Sequence, residues 1–305
     1  MIKTLVWVLV VGLLLLLLGG LVYWKLAKRS APASSSSARP APSEKNPRTL
    51  NSPPAESPGG LPAGGPAAKK ENIAPAAVFA PRPGETLEYD ANLTKLDSTV
   101  ANLKLTVDEK RPFGAKSSWH FQAFAHTENP YRMIFELDDR FDSYSDAGNL
   151  TSLQYEMHLN ERGQKVDSVQ RLLPSVQDPP PDGASAARVL PGTRDPLGML
   201  QFLRGVDWSK TPEVRSPVYD GRKLYETRAA LVSNATAVSV PAGKFTASKI
   251  EIRVLENGTE MKDAHFFLYL ANDAARTPVL MEAILPIATA RVELTKMKWE
   301  LQKSR

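Results

Sequence analysis

Ala101-Asn102-Leu103-Lys104-Leu105-Thr106-Val107 alternates apolar and polar side chains residue by residue. Leu153-Gln154-Tyr155-Glu156-Met157-His158-Leu159 and Ile250-Glu251-Ile252-Arg253-Val254 do the same. Successive side chains of a strand point to opposite faces, so a period of two marks strands with one face buried and one wet. Working outward from these stretches, the pattern predicts strands at 85–94, 98–109, 117–126, 131–138, 151–160, 165–172, 223–233, 247–256, 264–271, 278–285 and 289–299. Glu161-Arg162-Gly163, Asp220-Gly221, Pro241-Ala242-Gly243 and Asn257-Gly258 supply turns between them. One helix interrupts the strands. Asp195 is a good N-cap, Pro196 fits the first helical position, Leu197, Leu200 and Leu203 recur at helical spacing, and Gly205 can end the run. Before it lies a Pro/Gly-rich loop, 174–194. The expected fold is mainly β, a curved antiparallel sheet or barrel-like domain with one short helix, over residues 79–300.

Two segments precede this domain. Residues 5–24 read LVWVLVVGLLLLLLGGLVYW, without a charge. A helix of that length spans roughly 30 Å, the thickness of a bilayer core. A cleaved signal peptide has a shorter apolar run with a small-residue cleavage site close behind it. Here the run ends in Tyr23-Trp24-Lys25, so residues 1–29 are expected to be a retained transmembrane signal-anchor whose partner is the lipid bilayer. A lipid-modified cysteine is excluded, because the chain has none. Lys3 at one end and Lys25, Lys28 and Arg29 at the other lean slightly toward a cytoplasmic C-terminal side. Residues 30–78 are rich in Pro, Ala, Ser and Gly and have no apolar periodicity, as expected of a disordered linker. As a flexible coil it reaches roughly 35–40 Å.

The chain carries 38 Lys and Arg against 33 Asp and Glu. Residues 1–78 alone are net +6, and the remainder is net −1. The basic character therefore belongs to the anchor and linker, where it can meet anionic lipid. A nucleic-acid partner, which needs a basic patch on the domain itself, is not expected.

Several segments carry a family resemblance. They are Phe79-Ala80-Pro81-Arg82-Pro83-Gly84-Glu85-Thr86-Leu87-Glu88-Tyr89, Asp139-Arg140-Phe141-Asp142-Ser143-Tyr144, and Asp195-Pro196-Leu197-Gly198-Met199-Leu200-Gln201-Phe202-Leu203-Arg204. Tyr219 to Tyr225, Val240 to Phe245, Leu268 to Asp273 and Arg276 to Val279 follow in order. Together they resemble domain-of-unknown-function family 3108, a family of bacterial envelope proteins; Tyr269 stands where a tryptophan is expected. The resemblance covers residues 79 to about 297. It implies export and a β-rich fold, and no reaction. The anchor at 5–24 departs from the family, many of whose members look plainly secreted; combined with the export that the resemblance implies, it gives the expectation of a single-pass protein of the bacterial inner membrane with its globular domain in the periplasm, against the lean of the flanking charges.

Chemistry is sparse in the sequence. There is no cysteine, no G-x-S-x-G elbow and no phosphate-binding glycine loop. His120, His126, His158 and His265 form no H-E-x-x-H pair. His120 and His126 share a strand face about 20 Å apart, too far to chelate one ion alone. Asp138, Asp139, Asp142 and Asp146 offer hard oxygen ligands, but their spacing fails the EF-hand pattern, so no metal and no cofactor is expected. Asp139 and Asp142 are the pair a hydrolase reading would use. Four N-x-[ST] sequons, at Asn92, Asn149, Asn234 and Asn257, matter only where exported proteins are glycosylated. Arg204, with its planar fork, and Trp208, with an apolar body and one donor, are the candidates for a ligand-binding surface. The competing account caps the helix with Arg204 and fills core with Trp208.

Long β alternation without a catalytic constellation suggests a non-enzymatic binding module for an apolar, lipid-like ligand or envelope component. A structural or adaptor protein of the cell envelope is the alternative, and a hydrolase with an unrecognised carboxylate pair the third reading.

Overall fold

A computed structural model describes residues 81–299, except 95, 97, 176–184 and 286–287. The apolar run at 5–24 and the linker at 30–78 lie outside the described residues. Among the described residues, fourteen strands form one sheet. They are β1 (Glu85–Leu93), β2 (Thr99–Val107), β3 (Arg111–Phe113), β4 (Lys116–Thr127), β5 (Asp138–Asp146), β6 (Ser152–Glu161), β7 (Gln164–Leu173) and β8 (Ser185–Arg188), then, after helix α1 (Pro196–Gly205), β9 (Glu213–Tyr219), β10 (Leu224–Val240), β11 (Gly243–Glu256), β12 (Thr259–Ala271), β13 (Pro278–Ile284) and β14 (Thr289–Trp299).

The order across the sheet is β8-β7-β6-β5-β4-β2-β1-β14-β13-β12-β11-β10-β9, with β3 paired to β4. Every pairing is antiparallel except β7 with β8. The first and last of the described strands, β1 and β14, thus lie side by side in the middle of the order. The outer strands curl toward each other, and the segment entering α1 stitches them. Ser152 N–H donates to Thr193 O at 3.0 Å, Arg194 N–H to Pro217 O at 3.0 Å, and Tyr219 N–H to Arg194 O at 2.8 Å. The Arg194 guanidinium donates to Asn149 O and Ser216 Oγ and lies 3.7 Å over the Phe202 ring. The β9–β10 turn closes the curl against β6. Gly221 has φ +93°, a backbone conformation that favours glycine, and a Cβ there would have to push aside the end of the Met157 side chain, 2.5 Å away at Cε.

The alternation holds where it was read. Leu103, Leu105 and Val107 are buried, and so are Tyr155, Met157 and Leu159. Helix α1 lies inside the curl, with every residue from Leu197 to Gly205 buried. Gly198 lets it approach the sheet, because a Cβ there would stand 2.9 Å from Ser145 Oγ. Asp195 caps the helix and Pro196 opens it, as the sequence implies.

Four departures have physical reasons. Residues 131–136 are not a strand: Tyr131–Met133 form a 3-10 turn, and Phe135 N–H returns to Tyr131 O, while Asp138 already opens β5. Phe135 and Leu137 are buried, so the apolar spacing there belongs to a tucked turn. Strand β5 goes unread because its inward residues Asp139, Ser143 and Ser145 are polar, which erases the period of two. Strand β9 contains Pro217, which argues against a central strand, and it is an edge. The expected loop at 174–194 contains the short edge strand β8.

Inward-facing Asp139 gives a first prediction. Its Oδ1 accepts from Asn160 N–H at 2.8 Å, and its buried Oδ2 has no hydrogen-bond partner. Burial first, then the nearby Glu161 and Asp138 carboxylates, push its pKa up to about 7, against the pull of the Asn160 N–H. An unfolded Asp titrates near 3.9. Between roughly pH 4 and pH 7 the native state therefore holds a proton that the unfolded state has lost, and stability falls as pH rises through that window. Asp139→Asn keeps the Asn160 contact and removes the charge. Thermal unfolding should show it more stable than wild type by on the order of 2 kcal/mol at pH 8 and nearly equal at pH 4. A wild-type-like pH slope in the variant would refute the assignment.

Candidate functional site

Two places on the domain gather polar side chains. The first is the outer face of β2, β4, β5, β6 and β7. Register builds it in rows. Gln122 pairs with Asp142, and Asp142 with Glu156; Arg140 pairs with His158, and His158 with Asp167; His120 pairs with Tyr144, and Tyr144 with Gln154. Alternation turns all of these outward and leaves Ala123, Phe141 and Met157 inside.

Asp142 is the centre of this array and is only 2 % exposed. Its Oδ1 accepts from His120 Nε2 at 2.9 Å and Gln122 Nε2 at 2.8 Å, and its Oδ2 from Arg140 Nε at 2.8 Å. Burial raises its pKa, but the His120, Gln122 and Arg140 donors outweigh that, and the net shift is downward. His120 Nδ1 lies 2.8 Å from Asp108 Oδ2, and its ring stacks on Tyr144 at 4.5 Å. Burial lowers the His120 pKa; its hydrogen bonds to Asp142 and Asp108 more than reverse this. The ring is thus a positively charged bridge between two carboxylates at pH values where a free histidine is half neutral. On the next row, His158 Nδ1 lies 2.7 Å from Asp167 Oδ1, and its Nε2 lies 3.4 Å from Glu156 Oε2 and 3.9 Å from Asp142 Oδ2.

The acidic cluster seen in the sequence does not survive folding. Asp138 pairs with Arg132 at 2.5 Å, Asp146 accepts from Gly148 N–H, and Asp139 faces inward. Asp139 and Asp142, three residues apart on β5, point to opposite faces, so these two carboxylates cannot flank one bond. His120 and His126 do share the outward face. What reading along the chain missed is the pairing across it: Glu156 and His158 are visible as outward neighbours on one strand, but only register sets them beside Asp142 and Asp167.

The second place is a cleft of about 380 Å³ beyond the C-terminus of α1, lined by Asp207, Trp208, Asn234, Asn272, Asp273 and Arg276, among others. Arg276 donates to Val206 O and Arg204 O, and Trp208 Nε1 donates to Leu203 O at 3.1 Å, so both finish the helix. Trp208, a candidate from the sequence, is 5 % exposed: it fills core and edges the cleft at once. Arg204, the other candidate, lies in the interior at 0 % exposure. Its guanidinium meets Glu85 at 2.6 and 2.8 Å, Gln201 Oε1 at 3.0 Å and Ala275 O at 2.9 Å. The fork is committed to β1, to its own helix and to the loop before β13. The segments that carry the family resemblance meet here: entry strand, helix and closing loop converge on Arg204, and Ser143 of the middle segment meets the helix cap Asp195 at 2.5 Å.

The family model described as "Protein of unknown function (DUF3108)" matches residues 88–295. No curated protein matches the chain. Among solved structures, a β-barrel-like protein of the domain of unknown function DUF1849 from Brucella abortus is 13 % identical, with a TM-score of 0.48, over 72 % of this chain and 98 % of that one. A protein with a YmcC-like fold from Bacteroides fragilis is 13 % identical, with a TM-score of 0.34, over 73 % of this chain and 99 % of that one.

Proposed function

The chain belongs to the DUF3108 family of proteins of unknown function, and we propose that it is a non-enzymatic binding module, tethered to the bacterial inner membrane by residues 5–24 with its domain in the periplasm. One observation carries the ligand side of this reading. Helix α1 occupies the concave side of the sheet, where an acyl chain would otherwise lie, and a cleft opens beyond its C-terminus. The ligand of this reading is therefore a polar envelope component held at the rim, and the lipid-like ligand suggested by the sequence becomes the competing outcome. The cleft presents Asp207 and Asp273 carboxylates, Asn234 and Asn272 carboxamides and Ser209 and Ser248 hydroxyls, groups that exchange hydrogen bonds with hydroxyl- or amine-bearing molecules.

The test is to purify the full chain in detergent and identify what accompanies it by mass spectrometry. One equivalent of a polar envelope component, reduced several-fold by Asn272→Ala, is the expected result. Saturable uptake of a fluorescent fatty acid would overturn the rim reading in favour of the lipid one. A topology reporter fused after Arg305 checks the placement; activity on the cytoplasmic side would overturn it.

A second reading, an envelope adaptor, is favoured by Met133 and Ile134. They stand 85 % and 43 % exposed side by side at the 3-10 turn, an apolar pair that a partner could cover. In-cell cross-linking from this turn to one stoichiometric partner supports it.

A further inference from the structure

We propose that Asp142, Glu156 and His158 form a binding site for one divalent transition-metal ion of the zinc class, on the outer face of β5 and β6. Each offers one ligand atom, and the three atoms lie within 4.8 Å of one another. Ligand atoms about 2.0–2.2 Å from a tetrahedral ion stand roughly 3.3–3.6 Å apart. His158 Nε2 is 3.4 Å from Glu156 Oε2 and 3.9 Å from Asp142 Oδ2, so the imidazole and both carboxylates need only small rotations to close on an ion. Three protein ligands leave a fourth position for water. Two carboxylates balance the charge of the ion, and the mixed nitrogen and oxygen set suits zinc better than calcium or magnesium, which prefer all-oxygen sites.

The supporting shell is the stronger part of the argument. In metal sites the second atom of each ligand is usually held by an outer partner that fixes its orientation. Here all three are held. His158 Nδ1 is bonded to Asp167 Oδ1 at 2.7 Å, which leaves Nε2 to face the site. Asp142 Oδ1 takes two donors, His120 and Gln122, and Oδ2 faces the site. Glu156 Oε1 takes Gln154 Nε2 at 2.5 Å, and Oε2 faces the site. The carboxylate–histidine pairing of Asp167 with His158 is the arrangement that makes an imidazole a better metal ligand. Asp142 is buried and Glu156 and His158 are partly buried, with side-chain exposures of 14 % and 28 % for the latter two, so an ion would be both shielded and reachable.

The occupant that competes with a metal is Arg140, whose Nε donates to Asp142 Oδ2 at 2.8 Å. That side chain is 45 % exposed and can swing into solvent, so the guanidinium serves as the counter-cation of the metal-free site. The alternative is a purely structural ion network centred on Asp142. The two accounts differ in what removal of Arg140 does: a network is weakened, whereas a metal site loses its competitor.

The untagged full chain in detergent micelles, stripped with a chelator and dialysed, should take up one equivalent of zinc with micromolar or tighter affinity in competition with a chromophoric chelator. His158→Asn and Glu156→Gln should each weaken uptake at least about tenfold, and Asp167→Asn, on an exposed side chain, by about 10–100-fold. Arg140→Ala should tighten it, and His126→Asn should leave it unchanged. Circular dichroism of each variant confirms the fold. Absence of stoichiometric uptake by the wild type, or uptake that His158→Asn and Glu156→Gln leave intact, overturns the proposal.

Discussion

Arg204→Ala is expected to lower the stability of the domain by about 3–5 kcal/mol, the range for breaking a buried ion pair from one side. The guanidinium is 0 % exposed, and its partner Glu85 is 1 % exposed. The pair is bidentate, at 2.6 and 2.8 Å, and Gln201 and Ala275 O use further donors. Truncation leaves the Glu85 carboxylate in the core with no cation and strands the Ala275 carbonyl. Most of the loss is the cost of that uncompensated charge, so removing both charges should recover much of it. The double variant Glu85→Leu with Arg204→Met is expected to be more stable than Arg204→Ala, because apolar groups of similar volume often replace a buried pair at little cost. Denaturant midpoints followed by tryptophan fluorescence, compared at matched slopes, measure both. A single variant within 1 kcal/mol of wild type would show that the pair is not the clamp its geometry suggests.

Asp195→Ala is expected to cost about 3–4 kcal/mol, again in the denaturant midpoint. Asp195 Oδ1 accepts from Leu197 N–H and Gly198 N–H, both at 2.9 Å. Oδ2 accepts from the Ser143 and Ser152 hydroxyls, both at 2.5 Å, and Asp195 N–H donates to Ser152 Oγ at 2.7 Å. Losing an N-cap costs about 1 kcal/mol, and each buried hydroxyl left without an acceptor costs a further 1–3 kcal/mol. Asp195→Asn should be much milder, below about 1 kcal/mol. Its Oδ1 still caps the helix, and the two serine hydroxyls can rotate to accept from the new amide. Burial raises the Asp195 pKa and its four donors only partly offset that, so the charge itself is a cost in the native state. A raised carboxyl pKa gives stability that falls as pH rises, so the gap between Asp195→Asn and wild type should narrow toward alkaline pH. If alanine and asparagine destabilise equally, the cap geometry is not what the residue contributes.

Both residues were visible in the sequence, but only one was visible for its role. Asp195 precedes a proline and a leucine-spaced run, and capping is local, so its contacts to Leu197 and Gly198 follow from the chain's own order. Its contacts to Ser143 and Ser152, 52 and 43 residues away, do not. Along the chain Arg204 offers only a surface fork or a helix cap, because its partner Glu85 is 119 residues away. The polar interior of β5 shows the limit of pattern reading most clearly. Ser143 faces inward to donate to the helix cap Asp195, Ser145 meets Ser143, and Asp139 accepts from Asn160 N–H, and these inward polar residues remove the alternation by which a strand is recognised.

The sequence by itself determined most of the strand-forming stretches, the one helix with its cap, the separation of a basic N-terminal stretch, residues 1–78, from a near-neutral remainder, and the family. Each rests on a period, a local capping rule, a charge count or an ordered set of motifs, all of which are written along the chain and none of which depends on what pairs across it. Only the tertiary structure decided that the helix fills the curl of the sheet, that Arg204 clamps it to β1, and that Asp142 and Asp167 stand beside His158. The first two depend on segments far apart in the chain packing together; the last depends on strand register, because a shift of one residue turns a strand's side chains to the opposite face.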